Sequence, residues 1–354
     1  MIMLSQAYRI ASAKRTFVTR RVPLELMQSL VGGNGVSKPK SGDLVLAKIV
    51  QVGHHKFGER TDGRRAALFE GDEIILAYGH RYAPDQFEAV VPGSLEECHM
   101  VAAGGIAAQA ISWHSKTKSP TVIQPVGLIA DYSGKIINVS DFAVDESNLV
   151  DLVPSVAVVG TSMNAGKTTS AAHIIRGLNK AGYRVGAMKV TGTGAGGDLW
   201  LMKDSGAYIA LDFTDAGHAT TFKVNSFDLM NIVDRLSQEL IRFGCNAIVV
   251  EIADGIFQKE TRELLENREF KARFPNVVFA ARESLGATAG VQWLSNQGYS
   301  VSAVSGIVCA SPLSAREITQ QIDTPVYGLD LLIEPSISKS LLHFPSMTPE
   351  LELA

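Results

Sequence analysis

The chain contains little cysteine, and its three cysteines lie far apart. Cys98, Cys245 and Cys309 form no CxxC pair and show no spacing typical of metal ligands. This pattern excludes a disulfide-stapled domain and a zinc-ribbon domain. It predicts reduced thiols that are buried or incidental, as in a cytoplasmic protein.

Long apolar runs and a strong charge of one sign are also missing. No segment approaches the roughly 18 consecutive apolar residues of a membrane helix. The formal net charge is -3, so we expect neither a membrane nor nucleic acid as a partner. The N-terminus is basic and has no acid before Glu25, but it lacks the apolar core of a targeting peptide.

What is present is an ordinary globular composition, with 46% hydrophobic and 19% charged residues. A chain of 354 residues is long enough for two domains of roughly 100–200 residues each. A change of pattern near Val150 predicts a division into an N-terminal extension over 1–40, a β-rich domain over 41–150, an α/β domain over 151–335 and a C-terminal tail over 336–354.

The first half reads as short strands separated by glycine-rich and charged turns. Residues 43–52 and 73–78 are β-rich, and 120–141 adds further short β segments. Residues 94–112 read as a helix. Together these segments predict a small β-rich unit of barrel type.

The second half alternates strand and helix. Strands that are continuous apolar runs separated by helices predict a parallel sheet covered by helices. The predicted strands are 155–159, 184–190, 247–252, 276–281 and 301–308, and the predicted helices are 168–181, 227–243, 288–297 and 315–321.

The first of these strands runs into a glycine-bounded loop and then a helix. This order predicts a phosphate-binding loop, because phosphates need inward-pointing amides and the positive end of a helix. Lys167 would reach the outer phosphates and the Thr168 hydroxyl would ligate Mg²⁺. The predicted cofactor-binding residues are Gly160, Thr161, Asn164, Ala165, Gly166, Lys167, Thr168 and Thr169.

The motif is shifted, because Gly160 stands one residue before the position of the usual first glycine, which is Thr161. In this form, Gly-Thr followed by five residues and Gly-Lys-Thr, it closely resembles dethiobiotin synthetase and its CobQ-like relatives among the P-loop NTPases. The resemblance covers residues 155–330. It implies a lysine at the end of the second strand (Lys189), a glutamate at the end of the third strand (Glu251), and a dimer. The two-domain layout is similar to the DUF1611 group, which is linked to amino-acid N-acyl transfer.

Acidic and basic side chains follow the predicted strands at the edge where open α/β sheets hold ligands. Glu251 is the predicted Mg²⁺ ligand together with Thr168, and Asp254 follows three residues later as a candidate catalytic acid. Lys189 would stabilise charge on a transferred phosphoryl group. After it, residues 191–198 hold four glycines and predict a flexible loop, with Asp198 as a further Mg²⁺ ligand.

Another short segment combines two acids and a histidine. Asp212, Asp215 and His218 are three residues apart, which allows either a metal or substrate site with His218 as a general base, or ordinary turn and cap residues. In the first half, His54, His55 and His80 are expected to lie in exposed polar loops.

These residues predict a Mg²⁺-dependent enzyme that uses ATP, with GTP as the other possibility, to activate a small substrate carrying a carboxylate or amine. Catalytic roles would belong to Lys167, Lys189, Asp254 and His218. Two alternatives remain open. One is a nucleotide-dependent switch with slow hydrolysis, and the other is an N-acyltransferase that uses the loop for an acyl-coenzyme A donor.

Overall fold

The computed structural model describes residues 2–32, 38–146 and 152–345. Positions 33–37 of the predicted N-terminal extension, the predicted boundary near Val150 and positions 346–354 of the predicted tail lie outside the described residues. Within the described ranges, no helix is long and apolar enough to span a membrane.

The chain divides into two compact units. The first contains Met1–Glu146, Lys189–Trp200 and Leu211–Leu236, and the second contains Ser147–Met188, Leu201–Ala210 and Ser237–Ala354. This division differs from a single cut near Val150, because two segments of the second half of the sequence fall within the first unit.

Most regular elements in the described part of the first half are strands, beside one α-helix and short 3-10 helices. Its elements are α1 Ile2–Ser12, β1 Lys14–Arg15, β2 Ser29–Val31, β3 Leu44–Gln51, β4 Phe57–Glu59, β5 Arg65–Ala67, β6 Glu73–Tyr78, β7 Arg81–Tyr82, β8 Phe87–Val90, β9 Cys98–Ala102, β10 Ile106–Trp113 and β11 Thr121–Ala130. The predicted N-terminal extension contributes β1 and β2 to the sheet, so it is part of the first unit.

Five strands of this unit pair in a closed ring. β3 pairs with β6, β6 with β10, β10 with β9, β9 with β11, and β11 returns to β3. A closed ring has no free strand edges along these five strands. Its core is apolar and includes Val45, Ile74, Tyr78, Cys98 and Ile123. The predicted small barrel is therefore present.

The helix predicted over 94–112 is wrong, because this segment forms β9 and β10. Its alanines suggested a helix, but Gly104 and Gly105 turn the chain between two antiparallel strands. Gly105 has φ 106°, which a residue with a Cβ rarely adopts. Pairing with β11 on one side and β8 on the other then overrides the helix propensity of alanine.

The second half of the chain is α/β. Its elements are β12 Ser155–Gly160, α2 Lys167–Lys180, β13 Val185–Lys189, α3 Gly197–Asp204, β14 Ile209–Asp212, α4 Ser226–Arg242, β15 Ala247–Glu251, α5 Lys259–Glu266, α6 Arg268–Arg273, β16 Asn276–Ala280, α7 Ser284–Asn296, β17 Ser300–Ser305, α8 Pro312–Thr319, α9 Leu329–Leu332 and α10 Pro335–Ser340.

These strands form a six-stranded sheet in the order β14-β13-β15-β12-β16-β17. β12 lies between β15 and β16 and pairs with both in parallel, and β16 pairs in parallel with β17. The predicted parallel α/β sheet is confirmed. Because β12 is central, the loop that follows it emerges between the loops that follow β15 and β16.

Candidate functional site

The predicted phosphate loop joins β12 to α2. β12 is buried along its whole length and ends at Gly160, and α2 begins at Lys167. Between them, Asn164 and Gly166 have left-handed backbone, with φ 57° and φ 98°. Asparagine and glycine are the residues that tolerate this conformation best, and Gly166 is the N-cap of α2. The strand, turn and helix that the motif requires are present.

Glycines allow other backbone segments to approach the loop closely. A Cβ on Gly160 would lie 2.6 Å from the carbonyl oxygen of Ala280, and one on Gly166 would lie 2.9 Å from Cα of Gly306. Ala280 ends β16 and Gly306 follows β17, so the ends of these two neighbouring strands pack directly against the phosphate loop. The predicted strand over 301–308 included Gly306, whereas β17 ends at Ser305 and Gly306, with φ 97°, begins the segment that follows it.

Thr161 shows why the motif is shifted by one residue. Its amide donates to the carbonyl of Ala280 at 3.0 Å, and it is not among the residues with positive φ. Glycine is therefore required at 160 by close approach, whereas 161 tolerates a side chain. The Thr161 hydroxyl oxygen is buried and has no hydrogen-bond partner among the described residues.

Lys167 is held inside the loop. Only 5% of the residue is exposed, and its ammonium donates to the carbonyl oxygen of Ser162 at 2.8 Å. A buried ammonium needs oxygen partners to offset its desolvation. The loop therefore positions a cation among its own carbonyls and amides, where phosphate oxygens would bind.

Thr168 and Glu251 meet behind the loop. The Thr168 hydroxyl donates to the Glu251 carboxylate, with 2.9 Å between Oγ1 and Oε1. Glu251 is the last residue of β15 and is 2% exposed. The parallel pairing of β12 with β15 brings this strand end to the start of α2. Two residues predicted from separate motifs are thus in direct contact.

The second unit has the fold of a P-loop NTPase. The parallel sheet with a central strand, the glycine-bounded loop, the helix that starts with Lys167 and the carboxylate at the next strand end together define it. The broad P-loop part of the predicted resemblance is confirmed. The narrower resemblance to dethiobiotin synthetase and CobQ-like proteins stays a prediction.

Comparisons with known proteins give distant structural similarities alone. No protein-family model matches the chain, and no curated protein matches it. Among solved structures, the chain is similar to the signal recognition particle receptor FtsY from Elizabethkingia anophelis. The identity is 12%, the match covers 58% of this chain and 75% of that chain, and the TM-score is 0.37.

Two further similar structures have related names. Cell division protein ftsY from Thermotoga maritima is 13% identical, with 57% of this chain and 73% of that chain covered and a TM-score of 0.36. FtsY from Mycoplasma mycoides is 14% identical, with 56% and 70% covered and a TM-score of 0.34. Similarity at these scores carries no information about the activity of this chain.

The residues behind the loop fit a magnesium ion. Mg²⁺ prefers oxygen ligands and usually takes only one or two protein groups, the rest being water and phosphate. Thr168 and Glu251 supply a hydroxyl and a carboxylate at hydrogen-bond distance from each other. Among the described residues, no cluster of three or more His, Cys, Asp or Glu side chains could hold a metal. A Mg²⁺ site completed by water and phosphate does not need such a cluster.

Asp254 lies in the loop that follows β15, next to the phosphate loop. Its backbone is left-handed, with φ 60°, which is uncommon for a residue other than glycine. The adjacent Gly255 packs against Thr161, since a Cβ there would overlap the Thr161 carbonyl oxygen. The amide of Ile256 donates to the carbonyl of Gly160 at 3.1 Å. The predicted catalytic acid thus belongs to a segment fixed along the phosphate loop.

Lys189 and Asp198 contact each other in the first unit. The Lys189 ammonium donates to the Asp198 carboxylate, and the lysine side chain is 13% exposed. Lys189 ends β13, and Asp198 lies in the first turn of α3. Their predicted separate roles, catalytic for Lys189 and Mg²⁺-binding for Asp198, stay predictions.

The glycine-rich segment between them is held by hydrogen bonds rather than left free. The amide of Gly192 donates to the Thr221 hydroxyl at 2.7 Å, that of Gly194 to the Ala219 carbonyl at 3.0 Å, and that of Gly196 to the Glu59 carboxylate at 2.7 Å. Glu59 also accepts from the Trp200 indole at 3.0 Å. The interpretation as a flexible loop is corrected by these contacts, and Glu59 had no sequence signal.

Asp212 and Asp215 form an ion cluster with an arginine from the start of the chain. One guanidinium nitrogen of Arg20 lies 3.2 Å from Asp212 and 2.6 Å from Asp215. The two aspartates are buried. Burial and the charge of Asp212 raise the pKa of Asp215, although Arg20 acts against this. The cluster already contains its own cation, so the prediction of a substrate site on these acids is not supported.

The histidines are more buried than the sequence suggested. Burial lowers the pKa of His218, which keeps its imidazole neutral at pH 7. His55 is 9% exposed, and burial followed by the charge of Arg81 lowers its pKa to about 3. The expectation that His55 lies in an exposed polar loop is wrong, because it packs edge-on against His54 and near Phe87.

Proposed function

We propose that this protein is a Mg²⁺-dependent enzyme that binds ATP, or GTP as the alternative, and activates a small carboxylate- or amine-bearing substrate by phosphoryl transfer. The observation that carries the proposal is the 2.9 Å hydrogen bond between the Thr168 hydroxyl and the Glu251 carboxylate. This contact joins the first turn of the loop's helix to a buried strand end, where open α/β sheets bind their ligands.

Each residue has a role that follows from its position. Lys167 would exchange the Ser162 carbonyl for a phosphate oxygen, which is a stronger acceptor because it is charged. The start of α2 adds the positive end of the helix dipole. Thr168 and Glu251 would hold Mg²⁺, which when bound neutralises charge on the phosphates. Asp254 is the acid best placed to accept a proton from a substrate nucleophile.

A nucleotide-dependent switch is the second candidate. Large apolar side chains are exposed in segments that follow β15, β16 and β17 in the second unit: Phe257 is 69% exposed, Leu285 77% and Leu313 65%. Exposed apolar groups at the ligand-binding edge of a sheet are typical of a surface that contacts another molecule. In this case hydrolysis would be slow, and no small substrate would accelerate it.

Calorimetric titration tests the proposal. The purified protein is titrated with ATP, GTP and acetyl-coenzyme A, with and without Mg²⁺, and Lys167→Ala serves as the control. The proposal requires Mg²⁺-dependent binding of ATP or GTP that the control loses. Binding of the thioester alone would contradict it and favour an N-acyltransferase.

Turnover then separates the two nucleotide-dependent functions. Release of nucleoside diphosphate is measured in the presence of panels of small carboxylates and amines. Stimulation by a member of the panel supports the enzyme, and slow hydrolysis that no member changes supports the switch. We also propose that the protein is a cytoplasmic homodimer. Light scattering of the purified protein tests the dimeric state.

A further inference from the structure

A second cation contacts the phosphate loop besides Lys167. Arg282 lies two residues beyond the end of β16, the strand that pairs with β12 through Gly160 and Ala280. This register brings the segment after β16 beside the loop. The Arg282 guanidinium reaches across and donates to the carbonyl oxygen of Asn164 at 3.2 Å.

The contact is made at the exposed part of the loop. Asn164 is exposed and has φ 57°, whereas the neighbouring Ala165 is fully buried. Lys167 and Arg282 therefore bind two carbonyl oxygens of the same loop, Ser162 and Asn164. The lysine approaches from inside the loop, and the arginine approaches from the solvent side.

The charge of Arg282 is not neutralised by an ion pair. Arg282 is exposed, and in the described part of the chain its side chain has only the neutral Asn164 carbonyl as a partner. The adjacent Glu283 does not supply a counter-charge, because its carboxylate accepts the amides of Leu285 at 2.8 Å and Gly286 at 2.5 Å and caps α7. A guanidinium beside a phosphate loop without a carboxylate partner matches a phosphate group in charge and in geometry.

We propose that Arg282 binds the outer phosphate of the nucleotide, by exchanging the Asn164 carbonyl for a phosphate oxygen. This inference rests on the proposed nucleotide binding and adds a specificity-determining residue to that site. A contact with the outer phosphate makes the chain prefer a nucleoside triphosphate over the diphosphate. No local pattern in the sequence indicates this residue, because the contact depends on the pairing of β12 with β16.

The test compares three variants with the wild-type protein. Arg282→Gln removes the charge but retains an amide that can donate to the Asn164 carbonyl, and Arg282→Lys retains the charge without the planar fork. Arg176→Ala is the matched control, since Arg176 is an exposed arginine on α2 about 13 Å along the helix from Lys167. Each protein is titrated by calorimetry with ATP and ADP in Mg²⁺, or with GTP and GDP if the wild type binds that pair.

We expect Arg282→Gln to raise the Kd of the triphosphate about tenfold and that of the diphosphate less than threefold. Arg282→Lys should fall between Arg282→Gln and the wild type, and Arg176→Ala should change neither constant. Equal weakening of both nucleotides would overturn the inference, because Arg282 would then act only by shaping the loop. An effect no larger than that of Arg176→Ala would also overturn it. If the wild type binds no nucleotide, the proposed function itself fails, which is a different result.

Discussion

Removal of Arg20 should destabilise the first unit strongly. Arg20 is the cation that contacts both buried carboxylates, at 3.2 Å from Asp212 and 2.6 Å from Asp215. Its guanidinium also lies over the ring of Phe17, 4.0 Å from the centroid. Breaking a buried ion pair by removing one partner costs about 3–5 kcal/mol, because a charge is left buried without compensation. Because Arg21 remains 3.6 Å from Asp215, we expect Arg20→Ala to lose about 3 kcal/mol in the free energy of unfolding, at the lower end of this range.

The unfolding free energy is measured by urea titration. Trp200 is a suitable reporter, because its ring packs edge-on against Phe17 with 6.1 Å between centroids. The comparison variant carries both Arg20→Met and Asp215→Asn, which removes one charge of each sign. It should lose less stability than Arg20→Met alone, since it leaves fewer buried charges uncompensated. A loss below about 1 kcal/mol in Arg20→Ala would refute the reasoning.

The stability lost in Arg20→Ala should depend on pH in a defined direction. Burial and the charge of Asp212 already raise the pKa of Asp215 above its value in the unfolded chain. Without Arg20 this pKa rises further, so the folded variant binds a proton that the unfolded chain releases. A group whose pKa is raised by folding stabilises the folded state at low pH. This stabilisation is lost as pH rises through the pKa of the folded state. The cost of Arg20→Ala should therefore be smaller at pH 5 than at pH 8, and an equal cost at both would contradict the raised pKa.

Three further predictions concern the phosphate loop and the barrel. Lys167→Ala should weaken triphosphate binding about 10- to 100-fold without lowering the thermal midpoint by more than a few degrees, as calorimetry and circular dichroism would show. Glu251→Gln should remove most of the Mg²⁺ dependence of nucleotide binding, and unchanged Mg²⁺ dependence would exclude its assigned role. With the pKa of His55 lowered to about 3, the folded state excludes a proton that the unfolded chain takes up, so this residue should reduce stability by about 2 kcal/mol from pH 7.5 to pH 5. His55→Gln should flatten that slope in urea titrations, and an unchanged slope would show that His55 is not its source.

Local patterns explain what could be predicted from the sequence. The strand, loop and helix around Lys167 occupy adjacent residues, and the apolar run that ends at Glu251 is a buried strand whichever strand it pairs with. Both features depend on neighbours within one segment. The contact between Thr168 and Glu251 then follows from the parallel pairing that such strands adopt.

Contacts between distant segments could not be predicted in this way. Arg20 is separated from Asp212 by 192 positions, and no periodicity or spacing connects them. The two acids and His218 therefore resembled a functional site, whereas the structure uses the acids for an internal ion cluster. The β9–β10 hairpin was missed for a related reason, because its partners β8 and β11 lie in other segments and decide its conformation.

The two glycine-rich loops show how the same residue type serves different purposes. In the loop that follows β13, the amides of Gly192, Gly194 and Gly196 already have acceptors within the first unit. In the phosphate loop, the amides of Met163 and Ala165 have no acceptor in the described part of the chain. A phosphate needs amides that are not already used, since an amide proton shared with a protein acceptor donates less well to a second one.

Glycine in the first loop is instead required by close packing. A Cβ on Gly194 would overlap the Val18 side chain, and one on Gly196 would lie 2.5 Å from the Glu59 carboxylate. The amides of residues 192, 194 and 196 therefore cannot cradle a phosphate without breaking these contacts. Lys189 and Asp198 could take the catalytic and Mg²⁺-binding roles predicted for them only if their ion pair opened first.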